Sequence, residues 1–276
     1  MSNVFHKEIA AAKQQQGYAI PNAARVRRFA RRLFEVLFIS RSEADSSEFE
    51  LQAQLRKLEK QLQVVLYNLL PDRTGCQQQA AIFFEALPFI YKRLLKDANA
   101  LLQADPAAHD LAEVLVAYPG FFAIAVHRFA HQLHQQHIPL LPRVLSEYAH
   151  SKTGIDIHYA AIIGDAFVID HGTGIVIGET TEIGNNVIIY QGVTLGALNV
   201  VKENAAKKRH PRIEDNVVIY SGTTILGGET VVGRDSIIGG NVWLTRSVPP
   251  FSVVFQNTAP LVKDKRSFAE PYNFFI

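Results

Sequence analysis

The chain has 276 residues, more than one average domain, and its 48% hydrophobic and 20% charged residues supply both a sizeable core and a polar surface. A formal net charge of +2 is too small to argue for nucleic acid or an anionic membrane as partner. The single cysteine, Cys76, excludes an internal disulfide and a cysteine-rich metal site, and suits a reducing compartment. The first residues lack the apolar core of a signal peptide, and no stretch approaches the ~20 apolar residues that span a bilayer. The expectation is a soluble, cytoplasmic protein.

In chain order, residues 1–21 are polar and end at Pro21-Asn22, which predicts a flexible N-terminal arm. Val26, Phe29, Leu33 and Leu37 then recur at helical spacing, opposite a face carrying Arg25, Arg28, Arg31 and Arg32. Ser46-Ser47 offers an N-cap for a second helix, with a narrow seam of Leu51, Leu55, Leu58, Leu62, Val65 and Leu69 that stops at Pro71. Such a seam suits either another subunit's helix or an intramolecular hairpin. Ala80, Phe83, Leu87, Ile90 and Leu94 give a third helix, with Pro88 as a kink or break. Asp105-Pro106 reads as a helix start, a capping carboxylate before proline at the first helical position. That helix runs through Val114 to the break at Tyr118-Pro119-Gly120. A fifth follows through Phe122, Val126, Phe129 and Leu133, and a short sixth lies between Pro142 and Ser151. The fifth carries His127, His131 and His134 on one face, which can mimic a metal site. No carboxylate at matching spacing accompanies them, so packed or surface histidines are the better reading.

Near Gly154 the period changes from helical to six. Ile177-Gly178, Ile183-Gly184 and Leu195-Gly196 keep one frame, and Val232-Gly233 and Ile238-Gly239 keep another, with Ile213, Ile219 and Ile225 between. A six-residue step marks a parallel β-helix of hexapeptide repeats, whose aliphatic residues point inward and stack from coil to coil. The fold class is therefore α+β. A helical domain over 22–152 precedes a β-helix of the left-handed hexapeptide type over 153–248, and a tail covers 249–276.

Two places break the repeat. Ile169-Asp170-His171-Gly172-Thr173-Gly174-Ile175 carries two extra residues, which pushes Asp170 and His171 outward at a corner. A polar loop over 197–209 then interrupts the coils and ends at Arg209-His210-Pro211. Breaks in a rigid scaffold are where function concentrates. Histidine is the natural general base near neutral pH, and arginine offers a forked donor for a carboxylate.

The stretch GIDIHYAAIIGDAFVIDHGTGIVIGET, followed by QGVTLGA and RHPRI, resembles the serine O-acetyltransferase family. Upstream, ADPAAHDLAEVLVAYPGFFAIAVHRFAH resembles that family's helical region, so the likeness covers about 101–250. It implies acetyl transfer from acetyl-CoA to the hydroxyl of L-serine, in cysteine synthesis, with no metal. It implies His171 as general base and Asp156 as the carboxylate that orients it. Asp105 and Asp170 would face the serine amino group, Arg209 and His210 its carboxylate, and Glu179 is a further position of the motif. The pantetheine arm would run near Ala197, Ser221 and Gly240. Assembly as a homotrimer, or a dimer of trimers, would place the site between subunits.

The family's short Gly/Thr/Lys loop is replaced here by ALNVVKENAAKKR, and its Gly-Val-Pro-Ala-Arg segment by Phe255-Gln256-Asn257-Thr258-Ala259-Pro260. Both fall where the resemblance puts coenzyme A contacts. The chain finishes Pro271-Tyr272-Asn273-Phe274-Phe275-Ile276, an apolar end that suits docking on its own subunit or, as the resemblance implies, insertion of Ile276 into O-acetylserine sulfhydrylase. Two other readings remain: an acetyltransferase for another amino acid or a sugar, and a γ-carbonic-anhydrase-like hydratase with His158, His171 and His210 around zinc.

Overall fold

The computed structural model describes residues 3–15, 21–40, 47–67, 69–70, 72–198 and 207–257. Among the described residues seven helices come first: α1 (Asn3–Gln15), α2 (Ala23–Phe38), α3 (Glu48–Leu66), α4 (Arg73–Ala104), α5 (Leu111–Ala117), α6 (Pro119–Gln135) and α7 (Leu141–Thr153). Where the sequence predicts a loose arm, α1 is helical, with Val4 and Phe5 exposed. Its run of Ala and long unbranched side chains has high intrinsic helix propensity.

The apolar stripe of α2 is buried through Val26, Phe29 and Leu33, and the Asn22 side chain caps its first turn. Ser47 caps α3, whose Leu58, Leu62 and Val65 are buried between α2 and α4. The leucine seam is therefore intramolecular along that stretch, while Pro71 lies outside the described residues. Pro88 neither ends nor splits α4, which runs 32 residues. It stands on the solvent face between the buried Leu87 and Ile90, so the carbonyl it leaves unpaired can bond water. Asp105 is not an N-cap. It ends α4 as its C-cap, a turn follows in which the Ala108 N–H bonds the Asp105 carbonyl, and Asp110 caps α5 by accepting from the Glu113 N–H.

Fourteen short strands follow among the described residues, in three parallel sheets. Sheet A contains β1 (Asp156–Ile157), β4 (Val176–Ile177), β7 (Thr194–Gly196), β10 (Thr224–Leu226) and β13 (Trp243–Leu244). Sheet B contains β2 (Ile162–Ile163), β5 (Glu182–Ile183), β8 (Arg212–Ile213) and β11 (Val231–Val232). Sheet C contains β3 (Val168–Ile169), β6 (Ile188–Ile189), β9 (Val218–Ile219), β12 (Ile237–Ile238) and β14 (Val253–Val254). The chain passes from A to B to C and back to A, so each circuit makes one coil. Register stacks Ile163, Ile183, Ile213 and Val232 in one interior column, and Ile169, Ile189, Ile219 and Ile238 in another. Those residues are buried, as the six-residue period requires. At the corner after sheet B, Asn186, Asn216 and Asp235 take positive φ near 56–59°, a conformation these side chains tolerate. Asn186 donates to Asn216, and Asn216 to Asp235, building a ladder up that edge.

One buried network joins the halves. Arg128 of α6 clamps Asp97 of α4 through Nε (2.6 Å) and Nη2 (2.8 Å), and Nη2 also donates to the Gly164 carbonyl. Asp97 accepts from the Phe167 N–H at 3.0 Å. Arg93 and Lys96 on α4 reach Asp165 at the same corner. Gly120 completes the join from the start of α6, since a Cβ there would collide with the Ile169 carbonyl. Replacing Arg128 by Ala leaves the Asp97 carboxylate buried without its partner, and is expected to cost about 3–5 kcal/mol. A urea titration of both proteins measures this, with a fall in the unfolding midpoint as the expected result.

Candidate active site

The corner between sheets C and A is built by the two extra residues. Asp170 to Ile175 separate β3 from β4, against 190–193 between β6 and β7. His171 sits at φ 57° and Gly172 at φ 85°, where a Cβ would press on Ile155. This tight turn rotates His171 outward, leaving its side chain 71% exposed, while Asp170 stays 16% exposed beside it. The His171 Nδ1 lies 3.9 Å from the Asp170 carboxylate.

Asp105 arrives at the same corner from the end of α4. Its Oδ1 accepts from the Ala107 N–H (2.8 Å) and its Oδ2 from the Tyr118 hydroxyl (2.7 Å). The Tyr118 bond, then the Ala107 bond, hold the Asp105 carboxyl below the usual range, and His171 adds to this. The same bond pushes the Tyr118 phenol up to about 12. Burial and the nearby Asp170 raise the Tyr190 phenol as well. Three expected residues, Asp105, Asp170 and His171, therefore meet, and Tyr118 joins them unforeseen. Only the break at Tyr118-Pro119-Gly120 hinted at it.

The corner between sheets A and B holds a second group. Arg209 pairs with Glu179, and Lys208 donates to Glu182 (2.8 Å) and to the Thr180 carbonyl. Thr180, which the motif contained without marking, organises the returning loop. Its hydroxyl accepts from the backbone N–H of Arg209 (3.0 Å) and of His210 (3.1 Å). The Thr180 N–H donates to His210 Nδ1, so the neutral ring carries its proton on Nε2, the edge of the ring that lies against Gly178. Burial, then the Arg209 charge, depress His210 to about 4. A Cβ at Gly178 would collide with that ring, which explains the glycine.

Two expectations change. Asp156 forms no hydrogen bond to His171 within the chain. It opens β1 on sheet A and acts on His158, whose imidazole burial lowers and whose charge Glu179 and Asp156 favour. The carboxylate beside His171 is Asp170. The proposed donor contacts also divide: Ser221 and Gly240 are neighbours at the corner of His171, whereas Ala197 follows β7 at the corner of His210. His158 and His210 share that second corner and His171 the first, so one chain does not gather the three histidines. Among the described residues no group of three His, Cys, Asp or Glu could hold a metal ion. His131 of the helical histidine row instead bonds the Tyr159 carbonyl, and His127 is buried in the core. Of the 197–209 loop, residues 199–206 lie outside the described residues.

No family model matches the chain. Over 179 residues it is 55% identical to the plasmid serine acetyltransferase of Synechococcus elongatus, covering 63% of this chain and 56% of that relative. It thus spans little more than half of that protein's length. Over 164 residues it is 45% identical to the serine acetyltransferase of Bacillus subtilis, covering 59% of this chain and 73% of that one. The structure superposes on serine acetyltransferase 1 of Entamoeba histolytica in complex with L-cysteine, with a TM-score of 0.75 and 36% identity over 82% of this chain and 86% of that one. It also matches the Neisseria gonorrhoeae serine acetyltransferase in complex with serine, at TM-score 0.59 and 28% identity over 87% and 98% of the two chains. With 45% identity to a relative covered over 73% of its length, and a superposable architecture at 36% identity over 86% of a second protein, the chain belongs to the serine acetyltransferase family.

Proposed function

We propose that the protein transfers the acetyl group of acetyl-CoA to the hydroxyl of L-serine, giving O-acetyl-L-serine and CoA for cysteine biosynthesis in the cytoplasm. The observation that carries this reading is the outward His171 flanked by Asp170 and by an Asp105 carboxylate pinned as an anion. Two carboxylates suit an ammonium group, and the imidazole beside them suits the hydroxyl three bonds away. Arg209 and the Nε2–H of His210 suit the substrate carboxylate.

The two halves lie at opposite edges of sheet A, so one subunit's Asp105–Asp170–His171 corner would work with a neighbour's Arg209–His210 corner. We therefore read the coils as left-handed and the working unit as a homotrimer, alone or paired into a dimer of trimers. In the reaction His171 takes the hydroxyl proton as the serine oxygen attacks the thioester carbonyl carbon. Collapse of the tetrahedral adduct breaks the C–S bond, and the imidazolium returns the proton to the departing thiolate. Alignment of the two substrates supplies much of the rest. Cys76 takes no part: it is buried in α4, and burial raises its thiol pKa. Asp156 would orient His171 only across a contact absent within one chain. Docking of Ile276 into O-acetylserine sulfhydrylase remains part of the proposal, though that residue lies outside the described ones. Coenzyme A release from acetyl-CoA with L-serine, against homoserine, threonine and sugars, tests the acceptor, and a preference for any of those over serine would replace it.

His171→Ala is expected to lower kcat by ~10²–10⁴-fold with the circular dichroism spectrum unchanged. Activity within a few-fold of the parent would remove His171 as the base. Asp105→Ala should raise the KM for serine more than that for acetyl-CoA. Since Asp105 caps no helix N-terminus, its stability cost is limited to the Tyr118 and Ala107 bonds, about 1 kcal/mol.

His210 also predicts a pH dependence. Its folded value of about 4 lies below the ordinary 6.5, so between those pH values the unfolded chain binds a proton that the folded chain refuses. Stability therefore falls as pH drops from 6.5 toward 4, and this contribution is absent above 6.5. Urea midpoints measured across that window should decline less steeply for His210→Gln.

A further inference from the structure

Five arginines and one glutamate give α2 a net charge of +4, in a chain whose total is +2. That excess is divided between two faces. Arg31 and Arg32 pair with Glu35 inside the helix. Arg25 and Arg28 instead line a groove between α2 and α3, a cleft of about 440 Å³ whose other side carries Lys57 and Lys60. Gln61 and Val64 also line it, and no carboxylate does. Among the described residues none of the four cationic side chains forms an ion pair or a side-chain hydrogen bond.

Local stability does not favour this arrangement. Residues three apart on a helix stand side by side, so Arg25 with Arg28, and Lys57 with Lys60, are like-charge neighbours. Arg25 also occupies the third position of α2, near the positive end of the helix dipole, and no acidic residue offsets it in that first turn. The helices nevertheless hold the charges in place, because Val26, Phe29, Leu58 and Leu62 anchor them in the core. Three residues of helix rise about 4.5 Å and packed helices lie about 8–10 Å apart, so the four side chains spring from a patch of about 5 by 10 Å. An anion in the groove would relieve the repulsion.

We propose that this groove binds a small anion carrying two or more phosphoryl groups. Each phosphomonoester carries about −1.5 to −2 charges at neutral pH, so two of them match the four cations. Arginine meets phosphate oxygens with a forked donor, and lysine meets them as a point charge. Val64, 42% exposed among these charges, offers an apolar contact to the organic part of such a ligand. The volume of the cleft lies within the roughly 300–1,000 Å³ of small-molecule sites, which selects a compact ligand over a macromolecule. No aromatic ring lines it, as stacking on a nucleic-acid strand would require. A second copy of the same face would bring like charges together. The groove shares no residue with the corners of His171 and His210, so the proposal stands independently of the acetyl-transfer reading.

The test uses the full-length protein and two double variants, Arg25→Gln with Arg28→Gln and Lys57→Gln with Lys60→Gln. Binding of inorganic pyrophosphate is measured by calorimetry at low ionic strength. Each double variant is expected to weaken it by about tenfold or more, since each loses two charge-assisted contacts. Added salt should weaken binding to the parent, because the charges are exposed to screening. Inorganic phosphate, which matches half of the cations, should bind the parent about tenfold more weakly than pyrophosphate. Without ligand, the urea midpoint of each variant should equal or exceed that of the parent, because repulsion has been removed and no ion pair lost. Absence of pyrophosphate binding by the parent, or binding unchanged in both double variants, would overturn the proposal. Hexaglutamate bound more tightly than pyrophosphate would also overturn it, and would assign the groove to an acidic protein segment.

Discussion

The structure depends first on the buried pair of Asp97 and Arg128. Two helices and the first coil meet there, and both ions are fully engaged: carboxylate with guanidinium, guanidinium with the Gly164 carbonyl, carboxylate with the Phe167 N–H. The desolvation cost of such ions consumes much of their attraction, so the pair contributes registry more than net stability. Only one alignment of α4 and α6 on the coil satisfies all these groups at once. That alignment carries eight residues further along the chain, about two turns of helix, to Asp105. A shift of one residue in α4 would take the Asp105 carboxylate away from the corner where His171 stands.

The coils act as a ruler with two insertions. Where the six-residue step is kept, the turns are short, and at the corner after sheet B they are built on left-handed Asn186, Asn216 and Asp235. Where two residues are added, Asp170 and His171 turn out, and where the long loop returns, Arg209 and His210 are delivered onto Thr180. Sheet A separates these edges, so the scaffold that positions each half also keeps them apart within one subunit.

Much of this was legible in the residues because period is a global signal. Ile177, Ile183, Ile189 and Leu195 needed no tertiary information to be placed inward, and the two breaks could be counted. What was misread depended on contacts distant in sequence. Asp105-Pro106 carries a real local start signal, yet Tyr118, thirteen residues away, claims the carboxylate and the helix waits for Asp110. Pro88, expected as a kink or a break, does not break a helix that its flanking buried residues hold continuous. The role of Thr180 was invisible because its partners arrive only when the loop closes thirty residues later.

The clamp of helices on the first coil also makes the molecule mechanically one-ended. Each coil of a solenoid touches only its neighbours, so local opening propagates inward from whichever end is least anchored. Asp165 and Gly164 are held by three basic side chains from α4 and α6, whereas β13 and β14 close the described coils without a helix packed on them. Stiffness therefore declines along the axis away from the helical domain. The corner that carries Asp105, Asp170 and His171 occupies the anchored end, and the coils further out are the first to open.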